Sequence, residues 1–129
     1  MYDETRHTQV KGHGVAVGGG IQNQTTIAWQ AERSVTTFKK VPSDKKLIIT
    51  DFVYFPQGSV TSRLIVDAAE LSTLGTAIFL QLFVEPHVVT QAHFQTGFII
   101  EPGNSVDCFG TGPSTQHVTV TLLGYLAPA

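Results

Sequence analysis

The sequence predicts one all-β domain, an antiparallel β-sandwich led by an extended N-terminal arm. Short runs rich in Val, Ile, Thr and Phe recur from residue 25 onward. Turn signals centred on Gly and Pro separate them at the spacing of sandwich or barrel strands. The first 20 residues instead hold five glycines and few apolar side chains, a poor basis for packed structure. A chain of 129 residues can bury a single core without disulfides or metal, so one domain is expected, with residues 1–24 as arm and 25–129 as sandwich.

The arm carries Gly12, Gly14 and Gly18-Gly19-Gly20 together with Asp3, Glu4, Arg6 and Lys11, and cannot bury enough apolar surface to order itself. Val10, Val15, Val17 and Ile21 give it enough to dock as an added strand on a neighbour's sheet edge. Strands are expected at 25–30, 33–41, 46–55, 60–67, 76–85, 88–96, 104–109 and 116–125. Pro56-Gln57-Gly58-Ser59 parts two apolar runs, and Glu101-Pro102-Gly103-Asn104 sets Pro and Gly at the central positions of a type II turn. Gly110-Thr111-Gly112-Pro113-Ser114 reads as a longer loop. Residues 67–75 alone have helical character, with Asp67 as N-cap and Gly75 as terminator, and one turn of helix at most is expected there.

Period-two alternation assigns the faces of the strands. In the last strand Val118, Val120 and Leu122 alternate with Thr119, Thr121 and Leu123, the mark of a half-buried strand. Residues 76–85 set Ile78, Leu80, Leu82 and Val84 on one face, and Phe79 and Phe83 beside Gln81 and Glu85 on the other. Two exposed phenylalanines are costly in a monomer, so either the arm or a neighbouring subunit is expected to cover them. Residues 46–55 look two-sided as well, with Leu47, Ile49, Val53 and Phe55 opposed to Ile48, Phe52 and Tyr54. A second subunit, or a loop of the same chain, would cover the second set. Phe52, Tyr54, Phe79 and Phe83 are therefore the interface candidates.

Charged residues make up 14% of the chain, against about 25% in soluble domains generally, and Thr, Gln, Ser and Gly take their place. Interface cores are depleted in charge, so such a surface fits one that faces another subunit. All eight Lys and Arg lie in the first 63 positions, which carry +3, while the remainder holds five acids and carries −5. That segregation would steer head-to-tail docking if the two halves occupied different faces. The net charge of −2 and the isolated Lys39-Lys40 and Lys45-Lys46 pairs leave no footprint for nucleic acid. The polar, acidic N-terminus is no secretory signal, and no apolar run approaches the roughly 20 residues of a membrane helix. A protein made in the cytoplasm is expected, with a released particle such as a virion as its final location.

Reactive constellations do not emerge. The segment from Gly12 to Gly18 lacks the glycine spacing of dinucleotide and phosphate loops. The single Cys108 has Asp107 as a neighbour, which raises a thiol's pKa, and reads as a small core residue. His7, His13, His87, His93 and His117 lack the His-x-His plus Glu pattern of metal-binding cupins, so no metal or other cofactor is expected. Asp51, inside an apolar run, is expected to pair with Arg63 or Lys46 across a hairpin or to serve a binding site. An enzyme is not expected.

Three segments have a familiar cadence: Lys46-Leu47-Ile48-Ile49-Thr50-Asp51-Phe52, Gly97-Phe98-Ile99-Ile100-Glu101-Pro102-Gly103-Asn104-Ser105, and Val118-Thr119-Val120-Thr121-Leu122-Leu123-Gly124-Tyr125-Leu126. Across about two-thirds of the chain, toward its C-terminus, this resembles small jelly-roll proteins of bacteria and phages, including capsid decoration (cement) proteins and receptor-binding knobs. The resemblance implies a jelly-roll fold, a homo-oligomer such as a trimer, and a structural role on a larger assembly such as a phage capsid; it transfers no functional residue. The alternative is a carbohydrate- or receptor-binding module, in which Trp29, Tyr54, Asn104 and His117 would stack on and hydrogen-bond a glycan.

Overall fold

The computed structural model describes residues 8–129. Ten strands run β1 Thr8–Val17, β2 Thr25–Thr26, β3 Ala28–Ala31, β4 Thr37–Phe38, β5 Lys45–Pro56, β6 Leu64–Ser72, β7 Gly75–Val84, β8 Thr90–Ile100, β9 Ser105–Thr111 and β10 His117–Pro128. They form two antiparallel sheets, ordered β4-β3-β1-β10-β5-β8 and β2-β9-β6-β7. The chain crosses between the sheets after β1, β2, β5, β7, β8 and β9, so β1-β10-β5-β8 lies over β2-β9-β6-β7 in the order of a jelly roll. Leu47, Ile49, Phe52 and Tyr54 of β5, with Val118, Val120 and Leu122 of β10, meet Leu64, Val66 and Ala68 of β6 and Val106 and Cys108 of β9 in one core. Each large side chain so buried contributes about 1.5–3 kcal/mol. The Glu101–Asn104 turn forms as its sequence dictates, with the Asn104 N–H on the Glu101 carbonyl at 3.2 Å and Gly103 at φ 82°.

The expected arm is corrected from Thr8 onward. β1 pairs with β10 from Thr8↔Leu126 to Val17↔His117 and with β3 from Val10↔Ala31 to His13↔Ala28, which makes it an internal strand. Its glycines leave room for the core rather than loosening the chain. A Cβ added at Gly12 would lie 2.9 Å from Trp29 Cβ, and one at Gly14 would lie 3.0 Å from Ile27 Cγ1. The glycine triplet is also tied down, its N–H groups donating to the carbonyls of Gln116, Gly112 and Gly110 at 2.8–2.9 Å. The stretch of the expected arm before Thr8 lies outside the described residues.

Residues 67–75 form no helix. β6 and β7 join in a tight hairpin there, and Asp67, the expected N-cap, is a buried strand residue opposite Gln81 and Phe109. Of the expected strand at 33–41 only Thr37–Phe38 forms, because the turn at 31–34 uses its first residues. Two β-bulges reverse the face assignments. Thr50 is an extra residue on β5, since Ile49 pairs with Gly124 and Asp51 with Leu123. Leu47, Ile49, Phe52 and Tyr54 consequently all point inward, leaving Val53 and Phe55 outside. On β7 the extra residue is Phe79, between Ile78↔Ala69 and Leu80↔Ala68; it turns inward and Ile78 turns out.

Candidate functional site

β7 and β8 are the edge strands of their sheets, and aromatic side chains join them along one side of the sandwich. Phe79 stacks on Phe98 with ring centroids 4.1 Å apart and planes within 9°. Phe94 and Phe52 complete the cluster, their rings 6.3 and 6.0 Å from Phe79. Only Phe52 is fully buried; Phe79, Leu80, Leu82, Phe94 and Phe98 pack against the core but remain half-buried. Outside this seam stand Ile78 and Phe83, 51% and 56% exposed, with the Arg63 guanidinium 5.0 Å over the Phe83 ring and bonded to Glu85 at 2.7 Å. An apolar strip thus lies beside strand edges whose outward backbone groups have no neighbouring strand among the described residues.

Of the interface candidates, Phe79 lies in this seam and Phe83 stands exposed beside it. Phe52 and Tyr54 are instead fully buried in the chain's own core, because the Thr50 bulge turned them inward. Burial, followed by the nearby Cys108 and Asp67, drives the Tyr54 hydroxyl's pKa upward, and that hydroxyl has no hydrogen-bond partner among the described residues. The four glycan-contact candidates are not brought together. Trp29 is buried with its ring stacked 4.9 Å from Phe38, so like Tyr54 it cannot face a sugar. Asn104 donates to Glu70 Oε2 at 2.8 Å in the turn before β9, while His117 opens β10, its N–H on Ser59 Oγ at 3.0 Å. Cys108 is a core residue as expected, its thiol pushed up to about 11 by burial and the Asp107 charge against a hydrogen bond with Thr25.

A second feature had no counterpart among the sequence motifs. A groove of about 590 Å³ crosses the outer face of the six-stranded sheet from the 31–34 turn to the bulge on β5. Its lining includes Lys11 and His13 of β1, Glu32 and Arg33 of the turn, Leu123 of β10 and Asp51 of β5. Asp51 pairs with neither Arg63 nor Lys46. It sits opposite His93 on β8, and His93 Nδ1 lies 2.8 Å from Asp51 Oδ1. Burial would raise its pKa, but hydrogen bonds from His93, Thr50 and Gln91 and the charge of His93 prevail and hold it below the ordinary aspartate value. This contact links residues 42 apart in sequence and depends on the bulged register, so no local motif announces it. Among the described residues, no three His, Cys, Asp or Glu side chains gather closely enough to hold a metal ion.

Charge follows the sheets in part. Lys11, Lys45, Lys46 and Asp51 are the charged strand residues of the larger sheet, and Asp67, Glu70 and Asp107 those of the smaller. Two of those three acids are buried, and Glu70 accepts from the Asn104 amide and the Glu101 N–H.

No protein-family model matches this chain, and no curated protein does. Among solved structures, the chain is similar to Eiger TNF from S. frugiperda at 10% sequence identity and a TM-score of 0.49, over 95% of each chain.

Proposed function

We propose that this protein is a non-enzymatic assembly module that works as a homo-oligomer and decorates or stabilises a larger particle. The observation that carries the reading is the seam between β7 and β8. Five core-contacting apolar side chains, Phe79, Leu80, Leu82, Phe94 and Phe98, remain half-buried there, with Ile78 and Phe83 exposed beside them. Contiguous apolar surface of this kind on a chain poor in charge favours a protein partner, and a second copy offers the same surface in return. The two flanking edge strands supply backbone donors and acceptors for such a contact. Attachment to a phage capsid or comparable assembly is supported only by the strand and turn cadence of residues 46–52, 97–105 and 118–126.

Native mass spectrometry of the wild type against an Ile78→Ser, Phe83→Ser double variant tests the reading. Both side chains point into solvent, so the variant keeps its core and should yield a smaller species. A wild type that stays monomeric at tens of micromolar, or a variant with unchanged stoichiometry, contradicts it.

A further inference from the structure

We propose that the groove on the outer face of the six-stranded sheet binds a small acidic sugar, a ring bearing one carboxylate and several hydroxyls. Its volume of about 590 Å³ falls within the range of small-ligand sites. Two cations line one end. Lys11 projects from β1, and Arg33 from the turn that the Ser34 N–H closes on the Ala31 carbonyl at 3.1 Å. Neither has an anionic partner among the described residues, whose ion pairs are Arg63–Glu85 and His93–Asp51. Glu32, beside Arg33, accepts the N–H of Gln9 at 3.3 Å.

Arg33 is held at φ 62°, a left-handed conformation costly for a side chain with a Cβ and often found where function fixes it. At the other end the Thr50 bulge tilts Asp51 toward the groove, directly opposite the register break at Leu123/Gly124. β-Bulges recur at binding sites because they re-aim side chains in this way.

The register sets the ligand's dimensions. Lys11 pairs with Leu123 and Leu123 with Asp51, so the cationic and acidic ends stand two strand spacings apart, about 10 Å between backbones. A carboxylate can bond to the Lys11 and Arg33 heads while ring hydroxyls donate to Asp51, with the Leu123 side chain beneath the C–H face of the ring. His13 Nδ1 is engaged with Thr121 at 3.3 Å, which leaves its other ring nitrogen for a hydroxyl. An amino-acid-like zwitterion fits less well, because His93 already stands against Asp51 while the two cations are unmatched.

The test is an amide-resolved NMR titration of the full chain with sodium D-glucuronate at fixed ionic strength, with D-glucose, acetate and γ-aminobutyrate as comparison ligands. Saturable shifts should centre on Lys11, Gln30, Arg33 and Asp51 and be weaker by about tenfold or more for each comparison ligand. Arg33→Gln and Lys11→Gln should each weaken glucuronate binding about tenfold, as loss of a charged hydrogen bond implies, whereas Arg63→Gln should not. Absence of saturable shifts at the groove overturns the proposal, as does an equal response to acetate or γ-aminobutyrate, or indifference to both groove substitutions. Mass spectrometry of the same variants should return the wild-type stoichiometry, so failure here leaves the assembly reading standing.

Discussion

Gly124 lies on β10 against the backbone of β5 at the register break, and replacing it tests whether the bulged register is correct. A Cβ built there would lie 2.2 Å from the Ile48 carbonyl oxygen and 3.1 Å from Ile48 C and Ile49 Cα. All three atoms are backbone in a fully paired central strand, so no side-chain rotation relieves the clash and the two strands must part. Overpacking typically costs 1–3 kcal/mol, and with rigid partners Gly124→Ala should cost about 3 kcal/mol. For a chain of this size that is a drop in Tm of roughly 10 °C. Gly58→Ala is the control: nothing lies within 4 Å of its added Cβ, so it should be neutral or stabilising by about 0.5 kcal/mol. Urea denaturation of both variants reads the difference. A Gly124→Ala variant within about 0.5 kcal/mol of wild type would refute the register on which the core assignment and the groove both depend.

Asp67 is buried, its Oδ1 has no hydrogen-bond partner among the described residues, and burial raises its pKa despite a hydrogen bond from Gln81. A raised folded-state pKa makes the ionised form a liability above that pKa, relieved as pH falls through it toward the unfolded value. Asp67→Asn should therefore stabilise by about 1 kcal/mol at pH 7 and by less near pH 4; a loss of stability at pH 7 would contradict this. Asp51 has the opposite sign: its lowered pKa gives stability that is present above the unfolded value and lost in acid, so Asp51→Asn should cost more at pH 7 than at pH 3. Deleting residues 1–20 removes β1 from between β3 and β10, and should abolish the cooperative thermal transition rather than trim a dispensable arm.

The all-β class, the turns at 56–59 and 101–104 and most long strands were legible because period two and turn chemistry are local signals. β5, β7, β8 and β10 lie close to their expected spans. What escaped was set by residues distant in sequence. The glycines of β1 look like chain breakers, yet they are the small side chains beneath Trp29 and Ile27. One extra residue, Thr50, reverses which half of β5 faces inward, and it turned Phe52 and Tyr54 from interface candidates into core. Phe83 was recognisable as exposed because it lies beyond the Phe79 bulge, where alternation resumes. The groove depends on the same bulge together with a left-handed Arg33, and neither has a sequence signature, since arginine is not a residue expected at positive φ.

Hydrogen–deuterium exchange of the wild type as a function of protein concentration tests the central claim, that the β7–β8 seam joins one copy to another. Outward amides of edge strands exchange quickly when free and slowly when covered. The account predicts that residues 75–84 and 90–100 gain protection as concentration rises, while β4, the edge strand at the far side of the larger sheet, does not. Concentration-independent exchange along β7 and β8, or protection that appears at β4 instead, would contradict it.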